Sequence, residues 1–137
     1  MKYFTLEELL YSATAISRKI DNTQITDSIR ANLIALVENV LDPAREKLGV
    51  PVLVSSGYRC PQLNKIVGGV SNSQHMRGEA ADLLCSTATE MQRLFEILSK
   101  MTVDQLLYER KGKVQWIHVS YKRNGGNRNY VNNNYKA

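Results

Sequence analysis

The sequence lacks the features that mark several classes of protein. Nowhere in its 137 residues does an apolar run approach the ~18–20 residues that a membrane span needs. Its two cysteines, Cys60 and Cys85, are too few for a disulfide framework, and we expect two unpaired thiols in a reducing compartment. Glu7 and Glu8 lie where a secretory signal would be apolar, so no cleaved signal is predicted. We therefore expect a protein that works inside the cell that makes it, or that leaves without a cleaved signal.

Acidic side chains are missing from residues 121–137, which hold four basic ones and most of the net charge of +5. Four dispersed charges predict a solvated segment, and the alternative is attraction to a polyanion such as a bacterial wall polymer. The same segment has six Asn and almost no aliphatic side chains, which predicts a flexible tail over residues 122–137. No nucleic-acid-binding motif is present, so we expect no nucleic-acid partner.

Length and hydrophobic content predict one globular domain over residues 1–121. Apolar residues recur at three- and four-residue steps from Ile29 to Leu41, which predicts a long helix that begins after Thr26 and ends at Gly49. Shorter helices are predicted over residues 6–13, 62–67 and 90–101. Strands are predicted over residues 50–55, 79–84, 105–109 and 114–121. The pattern indicates an α+β fold, with N-terminal helices packed on a small, mainly antiparallel sheet.

Histidine is scarce, and both copies have unusual neighbours. In the last predicted strand, alternation puts Trp116, His118 and Ser120 on one face and apolar residues on the other. An imidazole between an aromatic ring and a hydroxyl is typical of a lined cleft. The other histidine, His75, lies in a polar loop that leads into the strand over residues 79–84.

That strand carries the carboxylate of Asp82 between apolar residues. Burying a carboxylate is costly unless it is paired or binds a metal, and the alternative is an edge strand with Asp82 in water. The loop could bring His75 to the same point as Asp82. Two imidazoles and one carboxylate suit Zn²⁺, and three protein ligands with an open fourth position are typical of a catalytic zinc site.

Five motifs, in order, resemble peptidase family M15, the zinc D-Ala-D-Ala carboxypeptidases, and in particular its short phage and bacterial wall-cleaving domains. The motifs are Ser55-Ser-Gly-Tyr-Arg, Leu63-Asn, Val67-Gly-Gly, Ser73-x-His75-x-x-Gly78-x-Ala80-Ala-Asp82 and Trp116-Ile-His118-Val-Ser. The resemblance spans about residues 3–121. It implies a fold like that of hedgehog and the D,D-peptidases.

The resemblance also implies roles for single residues. His75, Asp82 and His118 would be the ligands of one Zn²⁺. Arg59 would face the substrate and bind a peptide carbonyl or a terminal carboxylate, the alternative being a surface residue that follows a strand. Ser73 would lie at the rim of the cleft, where its hydroxyl bonds substrate or orients a ligand.

One position departs from the family. Several branches place an acid three residues before the last His as the general base, where this chain has Gln115, which cannot accept a proton from water. The nearest upstream acid is Glu109, and pairing of the last two predicted strands would bring it near the metal, so Glu109 is the candidate base. The alternative is a hairpin-end carboxylate that pairs with Arg110, Lys111 and Lys113.

The sequence therefore predicts a zinc metallopeptidase that hydrolyses peptidoglycan stem or crosslink bonds involving D-amino acids, as a D-Ala-D-Ala carboxypeptidase or a murein endopeptidase. Trp116 is expected to contact the substrate. We expect a monomer that reaches the cell wall by endolysin-like, phage-type lysis or by non-classical export. The alternative is a catalytically inactive zinc-binding module, wall-binding or structural, of phage or bacterial origin.

Overall fold

The structure, a computed structural model, describes residues 1–134. The helices are α1 (Leu6–Leu10), α2 (Ala13–Ser17), α3 (Asp27–Leu36), α4 (Asp42–Leu48), α5 (Pro61–Ile66) and α6 (Ala88–Ser99), with a π-helical segment (Val37–Leu41) and a 3₁₀ turn (Gln74–Arg77). The strands are β1 (Leu53–Ser56), β2 (Ala80–Leu84), β3 (Gln105–Lys111), β4 (Val114–Ser120) and β5 (Tyr130–Asn133). The predicted α+β class is confirmed.

The five strands form one sheet in the order β1-β2-β4-β3-β5. Neighbouring strands are antiparallel except for β5, which runs parallel to β3. A tight turn at Gly112 and Lys113 joins β3 to β4, and Gly112 takes the positive φ of 63° that such turns require. Because β2 lies between β1 and β4, the alternative of Asp82 on an edge strand is wrong.

One face of the sheet packs on the helices and forms the core. Leu106, Ile117 and Val119 of β3 and β4 are fully buried, and they belong to the same apolar cluster as Leu33 and Leu36 of α3. The inward face predicted for the last strand is therefore confirmed. Alternate residues of the same strands point to the opposite face, and this face carries the polar side chains of the candidate site.

The structure differs in detail from two of the predicted helices. The expected helix over residues 6–13 is two short helices, because the hydroxyl of Ser12 accepts a hydrogen bond from the backbone N–H of Ala15 and begins α2. The long helix predicted from Thr26 to Gly49 runs through α3, the π-helical segment and α4. The widened turn comes just before Pro43, which lacks an N–H for the regular helical ladder.

Residues 122–134 pack against the domain, which differs from the flexible tail predicted over residues 122–137. Asp104 is fully buried at the start of β3, and the backbone N–H and the guanidinium of Arg128 donate hydrogen bonds to its carboxylate over 2.8–3.1 Å. A buried carboxylate needs such a partner, and the pair brings β5 to the edge of the sheet. Residues 135–137 of the predicted tail lie outside the described residues.

Cys60 and Cys85 are unpaired, as expected. Within residues 1–134, no helix combines the length and the apolar character that crossing a bilayer requires.

Candidate active site

A short 3₁₀ turn presents the first candidate metal ligand, His75. The hydroxyl of Ser73 accepts a hydrogen bond from the backbone N–H of His75, and Gly78 ends the turn with a φ of 73°. His75 is 3% exposed, and its Nδ1 lies 2.7 Å from the carbonyl oxygen of Gly57. Since only an N–H can donate to that carbonyl, the proton sits on Nδ1 and the lone pair of Nε2 is available to a metal. Ser73 itself is buried and orients the turn.

The other two candidate ligands lie directly opposite each other on neighbouring strands, Asp82 on β2 and His118 on β4. Nδ1 of His118 is 3.0 Å from Oδ1 of Asp82, and Nε2 of His75 is 3.4 Å from the same oxygen. One donor atom from each of the three residues lies within 4.8 Å of the others. The structure thus brings together the three residues that the sequence predicted. We call them the metal group.

The spacing and the chemistry of the metal group fit a divalent cation. Tetrahedral ligands about 2.1 Å from zinc lie roughly 3.4 Å apart, close to the 3.0 and 3.4 Å separations seen around Asp82. Burial alone would raise the pKa of Asp82, but the neighbouring imidazole of His118, and then that of His75, hold it well below its usual value. Asp82 is therefore ionised, which is the form that binds a metal.

Arg59 lies beside the metal group with a side chain that is 16% exposed, so the alternative of a surface residue is wrong. Its Nε donates to the hydroxyl of Ser56 at 3.1 Å, and its Nη1 donates to the side-chain oxygen of Asn64 at 3.1 Å. Its Nη2 is 3.6 Å from Oδ2 of Asp82. Burial lowers the pKa of Arg59, and the charge of Asp82 opposes that shift. The guanidinium is thus held in one orientation next to a candidate ligand.

Asn22 supports this arrangement, and the sequence analysis missed it. Its side-chain N–H groups donate to the carbonyls of Leu10 and Tyr58, and its oxygen accepts from the backbone N–H of Cys60. One buried amide therefore fixes the residues on both sides of Arg59. In the sequence, Asn22 lies in a polar, turn-like segment, and no local signal sets it apart from its neighbours.

Glu109, the predicted base, lies on the same face of the sheet as the metal group. Leu107 is opposite His118 in the β3–β4 pair, and Glu109 is opposite Trp116. Glu109 and His118 are therefore diagonal neighbours, a separation that a long side chain can span. Oε2 of Glu109 accepts a hydrogen bond from the side chain of Asn134 at 3.2 Å. Among residues 1–134, Glu109 forms no salt bridge with the basic residues of the hairpin.

Gln115 points away from this face. It lies an odd number of residues before His118 on a regular strand, so its side chain projects to the opposite side of the sheet. There its oxygen accepts a hydrogen bond from the hydroxyl of Tyr108 at 3.2 Å. The side chain at position 115 of this strand therefore does not face the metal group.

Two clefts adjoin the metal group. A cleft of about 430 Å³ includes Arg59 together with Ser56 of β1 and Tyr11 from the α1–α2 connection. A second cleft, of about 420 Å³, includes His118 and Leu107. The first cleft thus reaches Arg59, which contacts Asp82, and the second reaches His118 itself.

Comparisons with known proteins agree with the geometry. The family model described as Peptidase M15 matches residues 2–120, a segment that contains the whole metal group and ends before β5. No curated protein matches the sequence. The match covers most of the chain, and the motifs that carry the predicted resemblance are the ones that build the site. The chain belongs to peptidase family M15.

Proposed function

We propose that this protein is a zinc-dependent peptidase that hydrolyses peptidoglycan stem or crosslink peptide bonds involving D-amino acids. The observation that carries the proposal is the metal group, His75, Asp82 and His118, assembled inside an M15 domain with a restrained arginine beside it. The proposed partner is the peptide of the cell wall, and the proposed route to it is phage-type lysis or non-classical export.

Zinc bound by His75, Asp82 and His118 would supply an activated water nucleophile near neutral pH and would polarise the scissile carbonyl. Of the five N–H bonds of the Arg59 guanidinium, those not directed at Ser56, Asn64 and Asp82 can bind a substrate carboxylate or the charge that develops on the carbonyl oxygen. We assign Arg59 that role.

A proton must leave the attacking water and reach the amine that departs. Both histidines are committed as ligands in this proposal, which leaves Glu109 as the acid on the same sheet face. Its carboxylate would accept the proton at one oxygen while Asn134 holds the other through a hydrogen bond of 3.2 Å. Trp116, which is half-buried opposite Glu109, would form a wall for the substrate.

The test is mass spectrometry of purified muropeptides after incubation with the zinc-loaded protein. We expect new peptide termini at a bond involving a D-amino acid, and we expect chelator to abolish them. Glu109→Gln should keep zinc and fold but lose about 10²–10⁴-fold in rate, the usual range for a general base. His118→Ala should lose most of its zinc, measured as metal per chain.

The outcomes separate the alternatives. Zinc binding without any cleaved muropeptide would favour the inactive zinc-binding module. Full activity in Glu109→Gln would remove Glu109 from the mechanism while leaving the peptidase assignment in place. A wild-type protein that stays free of zinc after zinc-supplemented expression would overturn the metal site itself.

A further inference from the structure

The cleft that includes His118 has a floor of strands and walls of loops. Leu107 and Gln105 of β3 form its floor beside His118. One wall is the loop over residues 72–77, and the other is the segment over residues 122–128. The second wall lies in the region after residue 120, where the match to the family model ends.

Positive charge predominates on these walls. Arg77, Lys122 and Arg128 line the cleft, and no acidic residue is among the described residues that line it. Arg77 is paired, because its Nε lies 2.8 Å from a carboxylate oxygen of Glu79. The remaining two cations share one buried carboxylate, that of Asp104.

Arg128 and Gln74 donate the hydrogen bonds that the carboxylate of Asp104 accepts. Arg128 donates to it from its backbone and from two guanidinium nitrogens, and Gln74 donates from its side chain at 3.0 Å. Nζ of Lys122 makes a longer contact of 3.6 Å, and its side chain is 36% exposed. Two cations face one anion, so the cleft keeps about one net positive charge, and Lys122 carries it.

We infer that this cleft is a subsite for a carboxylate of the substrate peptide, with Lys122 as the cation that binds it. This inference rests on the proposed function, since it places the bound carboxylate close to the metal group. One net positive charge complements one carboxylate, and Arg128 and Gln74 hold the wall that positions Lys122. The substrate class is a peptide with a free carboxylate near the bond that is cleaved.

Stem-type peptides offer two such carboxylates, one at the C-terminus and one inside the chain. The probe is therefore a synthetic stem-type pentapeptide that ends in D-Ala-D-Ala, in three forms. One form has both carboxylates free, one has a C-terminal amide, and one has the internal carboxylate converted to an amide. Binding is measured by calorimetry on zinc-loaded Glu109→Gln, so that slow turnover does not consume the peptide.

Lys122→Gln, added to this background, should weaken binding of the fully ionised peptide about 10-fold. The substitution should not change the affinity for the amide form that already lacks the carboxylate bound by Lys122. That amide form therefore identifies the carboxylate. Lys122→Arg should restore most of the affinity because it keeps the charge. Lys100→Gln is the matched control, since Lys100 is 76% exposed at the end of α6 and should change nothing.

Equal weakening for all three peptides, or no weakening for any, would overturn the subsite. That result is distinct from failure of the proposed function, which is read separately as the absence of cleavage by the wild-type protein. A protein that binds the ionised peptide through Lys122 but cuts nothing would keep the subsite and lose the peptidase.

Discussion

Three contacts hold the guanidinium of Arg59, and each uses a different nitrogen. Ser56 accepts from Nε, Asn64 accepts from Nη1, and Asp82 lies near Nη2. An ammonium group on a flexible stem cannot reproduce this planar fork. The position therefore needs arginine for its shape as well as for its charge.

Arg59→Lys should lower kcat/KM by about 10-fold or more while zinc content stays near one ion per chain. The physical reason is that the charge beside Asp82 remains, but the directed N–H groups are lost. Zinc per chain and turnover are measured on the same preparation. Arg93→Lys, an exposed position on α6, serves as the control and should behave as wild type. Full activity in Arg59→Lys would show that the fork has no part in turnover.

At the scale of elements, β5 depends on one side-chain cluster. Its first residue, Tyr130, donates its backbone N–H to the carbonyl of Asp104, and Arg128 covers the carboxylate of the same residue. Asn129 adds a side-chain oxygen that accepts from the backbone N–H of Val103. The strand is thus fixed to β3 at its beginning.

Arg128→Ala should lower the free energy of unfolding by more than a neutral surface substitution does, because it removes two of the four hydrogen-bond donors to the buried carboxylate of Asp104. Urea denaturation at neutral pH measures the change. Arg93→Ala on the exposed side of α6 should shift the same free energy by less than about 0.5 kcal/mol. Equal effects from the two substitutions would contradict the assigned role of Arg128.

The sequence predicted most strands of the sheet but not all of them. The β4 strand was predicted with both faces because its alternation is strong. The candidate metal ligands His75, Asp82 and His118 were predicted because the chain has only two histidines and because Asp82 lies between apolar residues of a strand. The β5 strand was missed because Asn-rich residues give no apolar alternation. The contact between Arg128 and Asp104, which are 24 residues apart, holds β5 against the sheet. Nothing in the sequence around Asp104 indicates that this residue is buried. Asn22 was missed for the same reason, since its three partners are distant in sequence.

At the scale of the whole molecule, the Asp104 cluster makes stability depend on pH. Hydrogen bonds from Arg128 lower the pKa of Asp104 to about 2 from a usual value near 3.8. A lowered pKa stabilises the folded state at pH values above the usual one, and this contribution is lost as the pH falls from about 4 to about 2.

The difference in unfolding free energy between the wild type and Arg128→Ala should therefore be largest above pH 4 and should shrink toward pH 2. Urea titrations of metal-free protein at several pH values in this range give the curve, and taking the difference cancels groups that both proteins share. A difference that stays constant from pH 5 to pH 2 would mean that Arg128 acts through packing alone.

The path of the chain through the sheet also sets an order in which the molecule can assemble. The β3–β4 hairpin closes through a two-residue turn and needs only local contacts, which form within microseconds. The metal group needs more, because His118 must meet Asp82 across 36 residues of chain and His75 must be carried in by the loop before β2. A partly folded chain that holds only the hairpin has one candidate ligand and no place to hold a cation. Binding of one cation by all three residues of the metal group would therefore require the central sheet to be complete.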